Sequence, residues 1–110
     1  MKEINRIKKY QEFQEIFNLK KYKRNNLFTI YFRNNSYGFA RVGLFVTKKN
    51  GNAVKRVKIK RQVRSIVDEC LDYQKVSKDM IIVISKEYSV DMFQDNRTKL
   101  MKLIGSIQEN

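Results

Sequence analysis

The chain has 110 residues, of which 42% are apolar, which suits one domain with a modest core and excludes a disordered basic tail. Lys and Arg number 24 against 11 Asp and Glu, a formal net charge of +13, so the surface field is positive and calls for a polyanion. With no His and a single Cys, the commonest general acid/base, a zinc cluster and an internal disulfide are all excluded.

Ile7, Tyr10, Phe13, Ile16 and Phe17 recur at helical spacing, so the first element is read as a helix over Ile7 to Phe17. A polar stretch follows from Asn18 to Asn26, within which Lys20 to Arg24 can form a short edge strand. Leu27 to Arg33, rich in aromatic and β-branched residues, predicts a strand. Asn34-Asn35-Ser36-Tyr37-Gly38 reads as a hairpin turn. Phe39 to Thr47 predicts the next strand, with Ala40, Val42, Leu44 and Val46 on one face and Arg41, Gly43 and Phe45 on the other.

Asn50-Gly51-Asn52 breaks that strand. Asn52 suits a helix N-cap, and the helix is expected to run to about Tyr73. Met80 to Ser85 is a continuous apolar run, as in a buried central strand. Ser89 or Asp91 caps a last helix with Met92, Phe93, Leu100, Leu103, Ile104 and Ile107 on its inner stripe. The order is α, β, β, β, α, β, α in a single α+β domain spanning residues 1–110, and the connection from Thr47 to Met80 is long enough to join parallel strands.

The functional signal is concentrated between Lys48 and Arg64, which contains Lys48, Lys49, Lys55, Arg56, Lys58, Lys60, Arg61 and Arg64 and no acid. At about 100° per residue, Ile59, Val63, Ile66, Val67 and Cys70 share one side, and Lys60, Arg61 and Arg64 another. Like charges four apart repel, as Arg56 with Lys60 and Lys60 with Arg64 do here, so a bound polyanion is expected to offset them. The free N–H groups at the helix start and Gly51 before them complete a phosphate cradle. Phe13 and Phe17 share a helix face, and Tyr31 alternates away from Phe28, Ile30 and Phe32, so these three are candidates for stacking on bases, against the simpler reading of core aromatics. Phe45 is ambiguous in the same way.

No stretch is apolar enough to span a membrane, and the lone Cys70, read as a core residue, suits a reducing cytoplasm. Asp68, Glu69 and Asp72, and Asp91 with Asp95, read as solvated or helix-start charges rather than metal ligands. If the chain takes part in catalysis, the reacting groups lie elsewhere.

The run Arg41-Val-Gly-Leu-Phe-Val-Thr-Lys-Lys-Asn-Gly-Asn-Ala-Val-Lys-Arg-Val-Lys-Ile-Lys-Arg-Gln-Val-Arg64 resembles the signature of the bacterial ribonuclease P protein family: a strand ending Ser/Thr-Lys-Lys, then x-Gly-Asn-Ala-Val, then Arg-Asn-Arg-x-Lys-Arg. Glu12-Phe13, Ile16-Phe17 and Ile30-Tyr31 also fit the pattern. Val57 stands where the family has Asn and Lys58 where it has Arg, which removes a hydrogen-bonding side chain and a bidentate fork. The resemblance implies a ribosomal-protein-S5-domain-2-like α/β sandwich with a left-handed β-α-β crossover. It implies a role as the accessory subunit of an endoribonuclease that removes the 5′ leader of precursor tRNA. The catalytic RNA would hold the Mg²⁺ ions, with no cofactor on the protein and no obligate protein partner. Lys48, Lys49, Asn52, Arg56, Lys58, Lys60, Arg61 and Arg64 would face RNA, and Phe13, Phe17 and Tyr31 the leader. The alternatives are a small basic ribosomal protein or RNA chaperone, and a stand-alone nuclease.

Overall fold

The computed structural model describes residues 1–108. Its elements are α1 (Tyr10–Asn18), β1 (Tyr22–Arg24), β2 (Phe28–Asn34), β3 (Arg41–Phe45), α2 (Ala53–Cys70), β4 (Lys78–Ile84) and α3 (Phe93–Gln108). The strands form one mixed sheet in the order β1-β2-β4-β3. β4 runs antiparallel to β2 and parallel to β3, so α2 is the predicted crossover between parallel neighbours.

β4 lies between β2 and β3, so the turn at Asn34–Gly38 is not a hairpin. The most apolar strand takes the centre, where both faces are covered. On one face Phe28, Ile30, Phe32, Val42, Met80 and Ile82 pack against Ile59, Val63, Ile66 and Val67 of α2 and Leu100, Leu103, Ile104 and Ile107 of α3. On the other face Ile81 lies under Ile7 and Ile16, with Phe13, Phe17, Tyr31 and Val83 around them.

Several ends differ from the sequence reading for local reasons. Ile7 and Tyr10 are not on a helical stripe with Phe13. Ile7 lies before α1, its N–H donating to Val42 O at 3.0 Å, while Tyr10, in the first turn, is exposed. Lys20 has φ +53, a left-handed turn, so the edge strand starts only at Tyr22. β3 is shorter than Phe39–Thr47 because the Ala40 N–H donates to Tyr73 O at 2.7 Å and Thr47 turns to cap the 3-10 turn Lys48–Asn50. α2 stops at Cys70 because Leu71 becomes extended and buries its side chain. Met92 is exposed in the 3-10 turn Val90–Met92, capped by Ser89, and Asn96 takes an inner position instead, donating to Ser89 O at 2.7 Å.

Candidate RNA-binding surface

The face of the sheet beneath α1 consists of three rows, read from the strand register. The first is Arg33–Asp79–Arg41, the second Tyr31–Ile81–Gly43 and the third Thr29–Val83–Phe45. α1 covers the second row. Phe13 can sit there because residue 43 is Gly: a Cβ at that position would lie 2.7 Å from Phe13 Cζ. The third row stays open and forms the floor of a groove.

The aromatic rings form a continuous wall along this groove. Phe17 meets Tyr31 edge-on at 4.9 Å between centroids and Phe45 at 5.4 Å; Phe13 lies 6.5 Å from Phe45, and Tyr22 lies 5.2 Å from Tyr31. The predicted Phe13, Phe17 and Tyr31 are therefore brought together, but each is half-buried against the others. The rings with most surface left for a ligand are Phe45, 39% exposed, and Tyr22, 47% exposed. The sequence reading left Phe45 ambiguous and missed Tyr22. For Phe45 the signal was present, since period-2 alternation puts it on the face of Gly43. For Tyr22 it was absent, because only pairing with Tyr31 places it here.

Two depressions run along the open row and share Val83 and Ser85. One, of about 650 Å³, is edged by Phe45, Lys48, Lys49 and Lys86, and the other, of about 470 Å³, by Arg24, Asn25, Asn26 and Thr29. Lys48 and Lys49 are thus at the junction of the groove and α2. The turn that holds them is tightly built. Thr47 N donates to Asn50 Oδ1 at 3.1 Å, and the buried Asn50 amide donates to Ser85 O at 2.9 Å. Gly51 follows at φ +110, a conformation that favours glycine. Asn52 caps α2 by accepting from Lys55 N at 2.9 Å, which leaves its Nδ2 for a ligand.

Along α2, Lys55, Lys58 and Arg61 are exposed and Arg56, Lys60 and Arg64 partly so. Among the described residues none of these, nor Lys48 or Lys49, pairs with a carboxylate. Elsewhere most arginines are paired: Arg33 and Arg41 with Asp79, Arg97 with Glu69, Arg6 with Glu3. Along this strip, by contrast, the cations are left without ion pairs, and the one acid at its edge, Asp68, pairs with the N-terminal amine instead. Lys60 and Arg64 border a cleft of about 280 Å³ beside Phe13, joined by Arg6 and Lys8, which the sequence reading did not single out. Val57 is 55% exposed and shares a shallow depression with Arg61, Arg64, Ser65 and Asp68, whose carboxylate is engaged by the N-terminal amine and Tyr73, so an apolar side chain does stand within the basic strip.

Most acidic groups lie beyond the strip. A cavity of about 710 Å³ between the N-terminal turn and the far end of α2 includes Asp68, Asp72 and Tyr73, a lining unsuited to RNA. Burial and the 2.7 Å bond to Asp68 push the Tyr73 hydroxyl pKa upward. Burial pushes the Cys70 thiol up to about 11, so it stays protonated and unreactive at neutral pH.

A sequence model of one family, described as Ribonuclease P, matches residues 1–108. The chain belongs to the Ribonuclease P family. It is 40% identical over 105 residues to the ribonuclease P protein component of Mesoplasma florum, covering 94% of this chain and 96% of that one. To the component of Mycoplasma capricolum it is 41% identical over 109 residues, covering 98% and 100%. Among solved structures, the Staphylococcus aureus RNase P protein superposes with a TM-score of 0.78 at 30% identity, covering 94% of this chain and 95% of that one. The family fold is therefore shown by sequence and by shape.

Proposed function

We propose that the chain is the protein subunit of ribonuclease P, binding the catalytic RNA through α2 and the 5′ leader of precursor tRNA in the groove beside α1. The observation that carries this reading is the junction at Lys48 and Lys49. A groove walled by aromatic rings opens there onto a basic strip without counter-carboxylates. Such a surface can hold a single strand by stacking and charge while a larger RNA neutralises the helix. The reading places the work in the cytoplasm.

In this division of labour the protein binds and orients, and the RNA supplies the Mg²⁺ ions and the hydrolysis of the phosphodiester. It is supported by the residue types: His is absent from the sequence, and among the described residues no three acidic or Cys side chains converge. No step is assigned to this chain's own acids. The basic strip lowers repulsion between the catalytic RNA and its substrate, two polyanions that must approach closely.

The test is cleavage of precursor tRNA at low Mg²⁺ by bacterial ribonuclease P RNA, with and without the protein, beside a protein-only lane. Rescue of the RNA with an inert protein-only lane is the expected result. Failure to rescue the cognate RNA would favour a ribosomal or chaperone role. Cutting by the protein alone would overturn the assignment of chemistry to the RNA.

The groove makes a separate prediction. Phe17 supports both Tyr31 and Phe45, so Phe17→Ala removes one wall of the groove. Stacking is worth about 1–3 kcal/mol per base. The variant holoenzyme is expected to bind leader-bearing precursor about tenfold more weakly, with binding of mature tRNA nearly unchanged. Equal weakening of both would assign Phe17 to the core alone.

A further inference from the structure

We propose that Asp79 is a positioning residue for leader binding: through Arg41 and Arg33 it fixes where α1 rests on the sheet, and so how wide the groove stands. The inference rests on the leader reading of the groove.

Asp79 is fully buried at the centre of the first row. Arg41 donates to it from Nε at 2.9 Å and from Nη2 at 2.8 Å, and Arg33 donates from Nε at 2.9 Å. Each arginine then reaches α1. Arg41 Nη2 donates to Glu12 at 2.7 Å, and Arg33 Nη1 to Glu15 at 3.3 Å. One carboxylate thus orients two guanidinium groups, and they hold two acids three residues apart on α1.

α1 needs such a tie. It has nine residues, fewer than the roughly 12–15 at which an isolated helix becomes even marginal. Its apolar seat, Phe13 over Gly43 and Ile16 by Ile81, is non-directional and leaves the helix free to roll. Charge-assisted hydrogen bonds are directional and remove that freedom. The tie lies on the opposite side of α1 from the open row. A roll about the tied edge would therefore move Phe13 and Phe17 toward or away from Phe45 and change the groove. The tie does not touch the groove floor, so it acts through α1 and not by contact with the leader.

The experiment compares Glu12→Ala with Glu12→Gln in the holoenzyme. Both remove the same charge, but Gln keeps an oxygen that can accept from Arg41. The readout is the ratio of affinities for precursor tRNA with and without its leader. Glu12→Ala is expected to lower that ratio about fivefold and Glu12→Gln by less than about twofold, since a neutral acceptor retains part of the bond. In the free protein, the ring-proton shifts of Tyr31, set by the edge-on Phe17, are expected to move in Glu12→Ala and stay near wild type in Glu12→Gln. An unchanged ratio in Glu12→Ala, while Phe17→Ala lowers it, would overturn the positioning role and leave the leader reading standing. Equal losses in both Glu12 variants would also overturn it, because charge alone would then be the cause. A wild-type holoenzyme indifferent to the leader would instead remove the reading on which the inference rests.

Discussion

Asp79→Ala is expected to cost about 3–5 kcal/mol of folding stability, the usual penalty for leaving a buried ion without its partner. Asp79 has no exposed surface, and the Arg41 side chain retains only 10%. Truncation would leave the Arg41 guanidinium with Glu12 as its only carboxylate, beside the Tyr37 ring, and the Asn35 amide, which donates to Asp79 at 2.8 Å, with one acceptor fewer. For a domain of this size the melting temperature should fall by more than about 10 °C. Adding Arg41→Met should recover part of the loss, because removing both partners is less harmful than stranding one. A cost below about 1 kcal/mol, the value of an exposed pair, would show that the network is not held as described.

The same residue sets a pH dependence with a definite sign. Burial by itself would raise the Asp79 pKa, but hydrogen bonds from Arg41, Asn35 and Arg33 outweigh it and hold the carboxyl below its ordinary value. A depressed folded-state pKa means that the stabilisation is fully present above the unfolded value and is lost as pH falls through the folded one. The stability gap between wild type and Asp79→Ala should therefore be flat above about pH 5 and narrow only below about pH 4. Denaturant titrations across that range measure it directly.

The parts of the fold that were legible in the sequence are those decided within a few residues. The projection of α2 put Ile59, Val63, Ile66, Val67 and Cys70 inward; the first four are buried and Cys70, at the helix end, partly so. Asn52 caps α2, and Met80 to Ile84 lies in the central strand, because both signals are local. The groove was legible only in half. Helix spacing paired Phe13 with Phe17, and alternation isolated Tyr31, but their meeting with Phe45 depends on β4 separating β2 from β3. That insertion is a tertiary fact. The Arg33–Asp79–Arg41 row follows from the same insertion, so residues far apart in the chain carry no shared sequence signal. Ile7 shows the converse error: its i,i+3 spacing to Tyr10 mimicked a helix, while its N–H pairs with Val42 O before α1 begins.

Replacing Lys60, Arg61 and Arg64 together by Gln is expected to weaken binding of the catalytic RNA roughly a hundredfold near 0.15 M salt and to flatten the log–log salt dependence by about 2–3. The size follows from counterion release, in which each phosphate contact contributes about 0.7–0.9 to the slope. The three residues make no ion pair among the described residues, so their charge is wholly available to RNA. For the same reason the fold should barely change, since no internal partner is stranded. A matched variant at Lys75, Lys99 and Lys102 removes the same formal charge outside the strip. Two of these, Lys75 and Lys99, already face Asp72 and Asp95. If binding tracked net charge alone, both triple variants would lose affinity equally. If α2 presents the strip to RNA, the first variant should lose far more and show the shallower slope, while the second stays within a few-fold of wild type. Val57 then gives the finer reading. It stands between charged neighbours where the family pattern has Asn, so Val57→Asn should tighten binding without changing the slope, because it adds a hydrogen-bonding group and no charge.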